Sequence, residues 1–261
     1  VSATDAAAYP QPTPRLLYVH DDLTEEVARE FGETSLASSA ARDLIALLAR
    51  DRERVRVLTL REQLEAVVNQ GAHAPFEIAV GIGAAGQRVA DTIHERTGWF
   101  PRIRRVGLTR EEDGRGGYRL VSTEDVDLPA QIADLAGCAS LAVVDDTVFS
   151  GLTMRGLLGS LPAPLRARTH AFCLRGVAES IAELAALCPV TAGVAAPGRL
   201  LDEVSFINAS GLVRRIAIRR PGQPSLAFFE RPDWLRAWFP ARSTEILARC
   251  QQLNTLLEPN S

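Results

Sequence analysis

Leu141-Ala142-Val143-Val144-Asp145-Asp146-Thr147-Val148-Phe149-Ser150-Gly151-Leu152-Thr153 is the stretch from which the fold of this chain can be read. An apolar run rich in β-branched residues predicts a buried strand, closed by two carboxylates, then a small hydroxyl-bearing turn and a helix starting near Leu152. Two chemistries meet there. Ser150, Gly151, Leu152 and Thr153 gather backbone N–H groups, two hydroxyls and a helix N-terminus around one point, which suits a dianionic phosphate. Asp145 and Asp146 are pure acceptors when ionised, so their partners are hydroxyls or a metal ion beside that phosphate. A sugar phosphate carrying a vicinal diol satisfies both halves. Paired aspartates after an apolar strand also occur in phosphoacceptor receiver domains, but near the chain start, whereas about half of this chain precedes these two.

These residues resemble the signature of the class I phosphoribosyltransferases for 5-phosphoribosyl 1-pyrophosphate (PRPP): a strand, two acids, then a small-residue loop ending in Ser or Thr. The resemblance implies that Asp145 and Asp146 bind the ribose hydroxyls and that the segment Phe149, Ser150, Gly151, Leu152, Thr153 holds the 5′-phosphate, with Thr147 between the two. Mg²⁺ would be the cofactor, carried largely by the substrate, with Asp145 and Asp146 as the protein groups nearest to it. Two positions depart from the family. Thr147 stands where an aliphatic residue is usual, and Phe149 where a small residue or an acid is usual. In relatives acting on 6-oxopurines an Asp at the Phe149 position is the proposed proton acceptor, so the resemblance speaks against hypoxanthine or guanine as acceptor.

Working outward, Phe76-Glu77-Ile78-Ala79-Val80-Gly81-Ile82-Gly83-Ala84-Ala85-Gly86 predicts an earlier strand running into a Gly/Ala loop, followed by a helix through Val89, Ile93 and His94. Small residues let backbone amides approach an anion closely. In the family the pyrophosphate loop follows an earlier core strand, and Gly83, Ala84, Ala85 and Gly86 occupy that place. Arg102 to Leu108 and Tyr118 to Ser122 read as strands joined by a charged, Gly-rich connection from Thr109 to Gly117, a mobile hairpin by its composition. The family has its flexible catalytic loop here. Arg110 and Arg115 are then candidates to neutralise the leaving pyrophosphate, with Arg105 as the alternative.

Strand and helix alternate from Phe76 to Ala195, which argues for a parallel sheet with helices on both faces and ligands at the carboxyl ends of its strands. The expected class is α/β, a phosphoribosyltransferase-type, Rossmann-like sheet plus a C-terminal α+β hood. The expected divisions are a mobile tail over residues 1–14, an N-terminal α/β segment over 15–75 packing on the core, the core over 76–197, and the hood over 198–261. Within the hood, Leu212 to Arg219 and Leu226 to Phe229 predict a hairpin, and Ser243 to Leu257 a helix. Trp234 and Trp238, four residues apart, read first as the core face of a helix and second as rings that could stack a planar acceptor.

Composition narrows the function. The chain has 261 residues, 46% of them apolar, and a net charge of −3, with pI near 5.9, so no basic field for nucleic acid is expected. All 29 basic residues are arginine, which removes any lysine Schiff base and leaves arginine or metal to face a pyrophosphate. Cys138, Cys173, Cys188 and Cys250 show neither zinc nor disulfide spacing and are expected as buried free thiols. No apolar run reaches membrane-spanning length, and the first residues lack a signal-peptide pattern, so a cytoplasmic protein without a membrane partner is expected. The expected reaction is transfer of 5-phosphoribosyl from PRPP to a small-molecule acceptor. A homodimer is left open as the assembly. The rival readings are a regulator that senses PRPP or a nucleotide on the same fold, and a sugar-phosphate hydrolase.

Overall fold

The structure, a computed structural model, describes residues 16–113, 115, 117–197 and 206–258. The expected tail over 1–14, Arg15, Gly114, Gly116 and residues 198–205 at the expected start of the hood lie outside the described residues. In chain order the elements are β1 (Leu17–Asp21), α1 (Leu23–Phe31), α2 (Leu36–Leu48), β2 (Val55–Thr59), α3 (Leu60–Val68), β3 (Ile78–Ile82), α4 (Gly83–Thr97) and β4 (Ile103–Val106). Then come β5 (Leu108–Glu112), β6 (Tyr118–Ser122), α5 (Leu128–Ile132), β7 (Leu141–Val148), α6 (Leu152–Ser160), α7 (Ala163–Arg166), β8 (Thr169–Val177), α8 (Ala178–Ala185) and β9 (Val190–Ala196). The chain closes with β10 (Phe206–Asn208), α9 (Ala209–Val213), β11 (Ile218–Arg220), β12 (Gln223–Leu226), α10 (Pro232–Trp238) and α11 (Ser243–Leu257).

The main sheet has five strands in the order β4-β3-β7-β8-β9, and every pairing in it is parallel. Side chains alternate across a strand, and β7 shows the consequence. Leu141 and Val143 enter one core with Met154, Leu157 and Leu158 of α6, whereas Ala142 and Val144 enter another with Val89 and Ile93 of α4 and Leu64 of α3. Helices therefore cover both faces, as an α/β parallel sheet requires. At about 25 cal/mol per Å² of apolar surface, these two layers supply the main driving force for folding.

A second parallel sheet, β10-β1-β2, joins the two ends of the chain. Its core takes Leu23 and Val27 from α1, Leu44 and Leu48 from α2, and Trp234, Trp238 and Leu253 from α10 and α11. The N-terminal and C-terminal segments, read apart in the sequence, share one layer because β10 pairs with β1. α3, assigned with the N-terminal segment, contributes Leu64 and Val67 to the main core.

Four local expectations are corrected. Gly83 to Gly86, expected as a loop, form the first turn of α4, because Gly83 at φ +61 makes the whole turn in one residue. β7 does not end at the acids but continues through Val148. Thr109 to Glu112 are not loop: they pair with Tyr118 to Val121 in an antiparallel ladder, and the turn proper is held by Asp113, whose Oδ1 accepts from Arg115 N and Gly117 N at 2.8 and 2.9 Å. Leu212 and Val213 belong to α9, buried throughout, so the predicted hairpin begins only at Ile218. The four cysteines are buried and free. No helix of the described residues is long and apolar enough to cross a membrane.

Candidate functional site

Counted within the main sheet alone, the strand order reads 2-1-3-4-5, so consecutive strands part company between β3 and β7. In such sheets the chain leaves two neighbouring strands toward opposite faces at that point and opens a crevice at their carboxyl ends. A cavity of about 260 Å³ lies there, lined by Gly83, Ala84 and Ala85 after β3, by Asp145 to Thr153 along β7 and its loop, and by Arg110 and Asn208. Sites of this kind hold small ligands.

The loop from Phe149 to Gly151 ends in a left-handed residue, Gly151 at φ +67, from which α6 starts. No side chain caps α6, and Leu152 N makes only a long 3.4 Å contact with Ser150 Oγ. α4 likewise starts without a side-chain cap. Both helix N-termini thus leave backbone donors open toward an anion. Arg155 braces the loop from outside, donating to Ser150 O at 3.2 Å and to Glu183 at 2.6 Å.

The two acids differ sharply. Asp145 is 9% exposed, and burial, then the charge of Asp146, push its carboxyl well above the ordinary range. Its Oδ1 accepts from Asp146 N at 2.8 Å. Burial would raise Asp146 too, but the Arg175 guanidinium, helped by the Thr147 hydroxyl donating to Oδ2 at 3.1 Å, outweighs it and holds that carboxyl below its usual value. Two carboxyls so close favour one proton between them. Asp146 is the ionised member because an arginine stands behind it.

That arginine was missed in the sequence. Arg175, fully buried on β8, donates from Nη2 to Asp146 Oδ2 at 3.1 Å and to Asn208 Oδ1 at 2.7 Å, and from Nη1 to Gln63 Oε1 at 2.9 Å. Since Oε1 of Gln63 faces the arginine, its Nε2 must donate, and it does so to His20 Nδ1 at 2.7 Å and to Thr59 O at 2.9 Å. His20 is thereby fixed as an acceptor. Burial and then Arg175 push it down to about 3, so it stays neutral. The signal in the sequence is a single charged residue closing the apolar run Ala171-Phe172-Cys173-Leu174, but its burial depends on Gln63, Asp146 and Asn208, which the run itself does not show.

Of the remaining expected residues, Gly86 does not line the cavity and packs so close to β7 that a Cβ there would meet Val144 O. Arg110 reaches the cavity from β5, stacked over the rings of Tyr118 and Phe149 at 5.3 and 5.1 Å, with no carboxylate partner among the described residues. Arg115 is exposed in the hairpin turn. Arg105 is exposed in an ion pair with Glu124 at 2.7 Å, and neither lines the cavity. The hairpin is tied to the second layer by Arg231, 3.6 Å from Glu112 and over the Trp234 ring at 5.6 Å. Among the described residues no group of three or more His, Cys, Asp or Glu side chains could hold a metal ion by itself.

No protein-family model and no curated protein matches this chain. Solved structures that overlap it include a Thermus thermophilus protein (19% identity over 51% of this chain and 80% of that one, TM-score 0.33) and a hypothetical protein from Neisseria gonorrhoeae with bound ppGpp (17%, 57% and 81%, TM-score 0.37). A purine phosphoribosyltransferase from Pyrococcus horikoshii overlaps at 12% identity, over 57% of this chain and 85% of that one, with TM-score 0.38. At these identities and scores the overlaps leave the function of the chain to be read from its own residues.

Proposed function

We propose that the cavity at the β3/β7 switch point binds PRPP and that the protein transfers its 5-phosphoribosyl group to a small-molecule acceptor. The observation that carries this reading is the convergence, in one cavity, of an uncapped phosphate-sized loop (Phe149 to Thr153), two acids, and the open N-terminus of α4 on the neighbouring strand. In the reaction a lone pair on the acceptor forms a bond to ribose C1, the C1–O bond to diphosphate breaks with its electrons leaving on diphosphate, and the acceptor proton passes to diphosphate or water. The loop amides hold the 5′-phosphate. Asp146, kept ionised by Arg175, accepts from one ribose hydroxyl, and Asp145 beside it serves the other. The Gly83 to Ala85 turn and Arg110 stand where diphosphate charge grows, and preorganised donors of this kind stabilise a transition state without reorganising.

Asp145 and Asp146 offer two carboxylates and no third ligand, a set that fits Mg²⁺ only as an ion brought by the substrate phosphates. When bound, Mg²⁺ would neutralise the departing diphosphate. The test is ribose 5-phosphate with Mg²⁺ in a thermal shift, followed by pyrophosphate release from PRPP across an acceptor panel. At 100 times Kd, binding stabilises by about 2.7 kcal/mol, roughly 5–10 °C in a chain of this size. Absence of any shift at millimolar ribose 5-phosphate, in wild type as in Thr153→Val, removes the reading.

A further inference from the structure

Asn208 lines the cavity together with the two acids but belongs to neither strand whose loop forms it. It is the last residue of β10, in register opposite His20 of β1, and so reaches the site from the second layer. Its position in the chain predicts another use. Asn is among the residues most favoured just before a helix, where its side-chain oxygen accepts from the first turn. Asn208 stands there before α9 with extended backbone, φ −90 and ψ 133, yet its side chain makes no capping bond. Asp22 takes the donor instead, accepting from Ser210 N at 2.8 Å.

The carboxamide released from capping is oriented by Arg175. Nη2 of that guanidinium donates to Asn208 Oδ1 at 2.7 Å and to Asp146 Oδ2 at 3.1 Å, while Nη1 is held by Gln63 at 2.9 Å. A guanidinium can only donate, so the atom it meets is the amide oxygen, and the Nδ2 group of Asn208 keeps its N–H donors. Neither is bonded to a described residue. One nitrogen of Arg175 therefore sets an acceptor and a donor side by side at the cavity wall, the Asp146 carboxylate and the Asn208 amide. A hydroxyl fits both, because it can give its proton to a carboxylate and take an N–H on a lone pair. An ether or carbonyl oxygen can only accept and would leave Asp146 facing a lone pair.

We infer that Asn208 is a specificity-determining residue of this cavity: its Nδ2 donates to the same sugar hydroxyl that donates to Asp146. One ribose hydroxyl is then bracketed from the main sheet and from the second layer, and the C-terminal segment forms a wall of the donor-sugar site. The inference rests on the sugar-phosphate reading of the cavity. It adds that the β7 segment does not select that hydroxyl alone.

The experiment is calorimetric titration of the full chain with ribose 5-phosphate and with inorganic phosphate, which shares the loop but has no hydroxyl to bracket. The ratio of the two affinities is the readout, since a charge added near the site acts on both ligands. Asn208→Asp keeps an oxygen for Arg175 and turns the donor into an acceptor, so the ratio should fall about tenfold or more. The smaller, neutral Asn208→Ala should lower it likewise and covers the case in which Asp is not tolerated. Asp146→Asn combined with Asn208→Asp restores one donor and one acceptor with their places exchanged, and should recover most of the ratio. A ratio unchanged in the single variants would limit Asn208 to holding Arg175, overturning the assignment while leaving the transferase reading standing. A ratio that falls in Asn208→Asp and stays down in the exchanged pair would overturn the shared hydroxyl. Failure of the wild-type chain to bind ribose 5-phosphate would remove both readings.

Discussion

At the carboxyl edge of the main sheet, β3 and β7 run into helices whose first N–H groups meet no capping side chain. At the same edge of the small sheet every exit is closed from within. After β1, Asp21 accepts from Thr24 N at 3.0 Å and from its hydroxyl at 2.7 Å. After β2, Thr59 and Glu62 form a reciprocal capping box. After β10, Asp22 accepts from Ser210 N and Oγ at 2.8 and 2.5 Å. Both sheets are parallel, and both aim helix N-termini at their carboxyl edges. The difference teaches that topology only offers donors. A site exists where the sequence leaves them unspent, and a scaffold exists where carboxylates and hydroxyls consume them.

The two edges meet at Arg175, and the hardest way to break the comparison is to remove it. Arg175→Met should destabilise by about 3–5 kcal/mol, because Asp146, Gln63 and Asn208 all lose a buried partner. Combining it with Asp146→Asn should recover part of that loss through the coupling of contacting residues. Urea unfolding measures both, and a loss under about 1 kcal/mol would mean that the edges are not joined through this guanidinium.

Gly86 tests how closely α4 lies on β7. A Cβ there would strike the carbonyl of Val144, so Gly86→Ala should cost about 1–3 kcal/mol as overpacking. A stability equal to wild type would show that α4 can lift away from the strand.

Asp145→Asn sharpens the contrast between the acids by pH. A carboxyl whose folded-state pKa is raised contributes fully below the ordinary carboxylate range, and that contribution is lost as pH rises through the raised value. The variant, which has no charge to bury, should therefore melt higher than wild type at pH 8, with the gap closing toward pH 4. A constant gap across that range would exclude the burial of this charge as its origin.

The smallest effects separate the edges themselves. Thr59→Ala on the small sheet should lose about 1 kcal/mol with its cap, while Ser150→Ala on the main sheet should stay within about 0.5 kcal/mol because its hydroxyl makes only the long 3.4 Å contact with Leu152 N. Equal losses in chemical denaturation would dissolve the distinction between a spent and an open edge.

The strands and helices around the cavity were legible because each is written in a local pattern. The run Leu141 to Val144, the acids and the loop to Thr153 predict a strand, two acceptors and an anion cradle within one continuous segment, and Phe76 to Gly86 does the same beside it. Composition alone gave the buried, unpaired cysteines. The flexible reading of Thr109 to Glu112 failed because charge and glycine dominate that window, whereas the ladder Arg110 opposite Leu120 and Glu111 opposite Arg119 depends on a partner strand. The joining of the chain ends was invisible for the same reason. β10 is only three residues long, too short to carry a periodic signal, and exists because β1 offers it a row of donors and acceptors.

What the sequence by itself determined is the set of groups at the carboxyl ends of β3 and β7: which atoms accept, which donate, and how small the turns are. What only the tertiary structure decided is the ionisation of those groups and the company they keep. Asp145 and Asp146 are chemically identical neighbours in the chain. They differ because β8 brings Arg175 behind one of them, across hydrogen bonds to Gln63, 112 residues away, and to Asn208 on the far layer. Side-chain type is local information, but the electrostatic field at a buried carboxyl is a sum over residues that only folding places within a few ångströms.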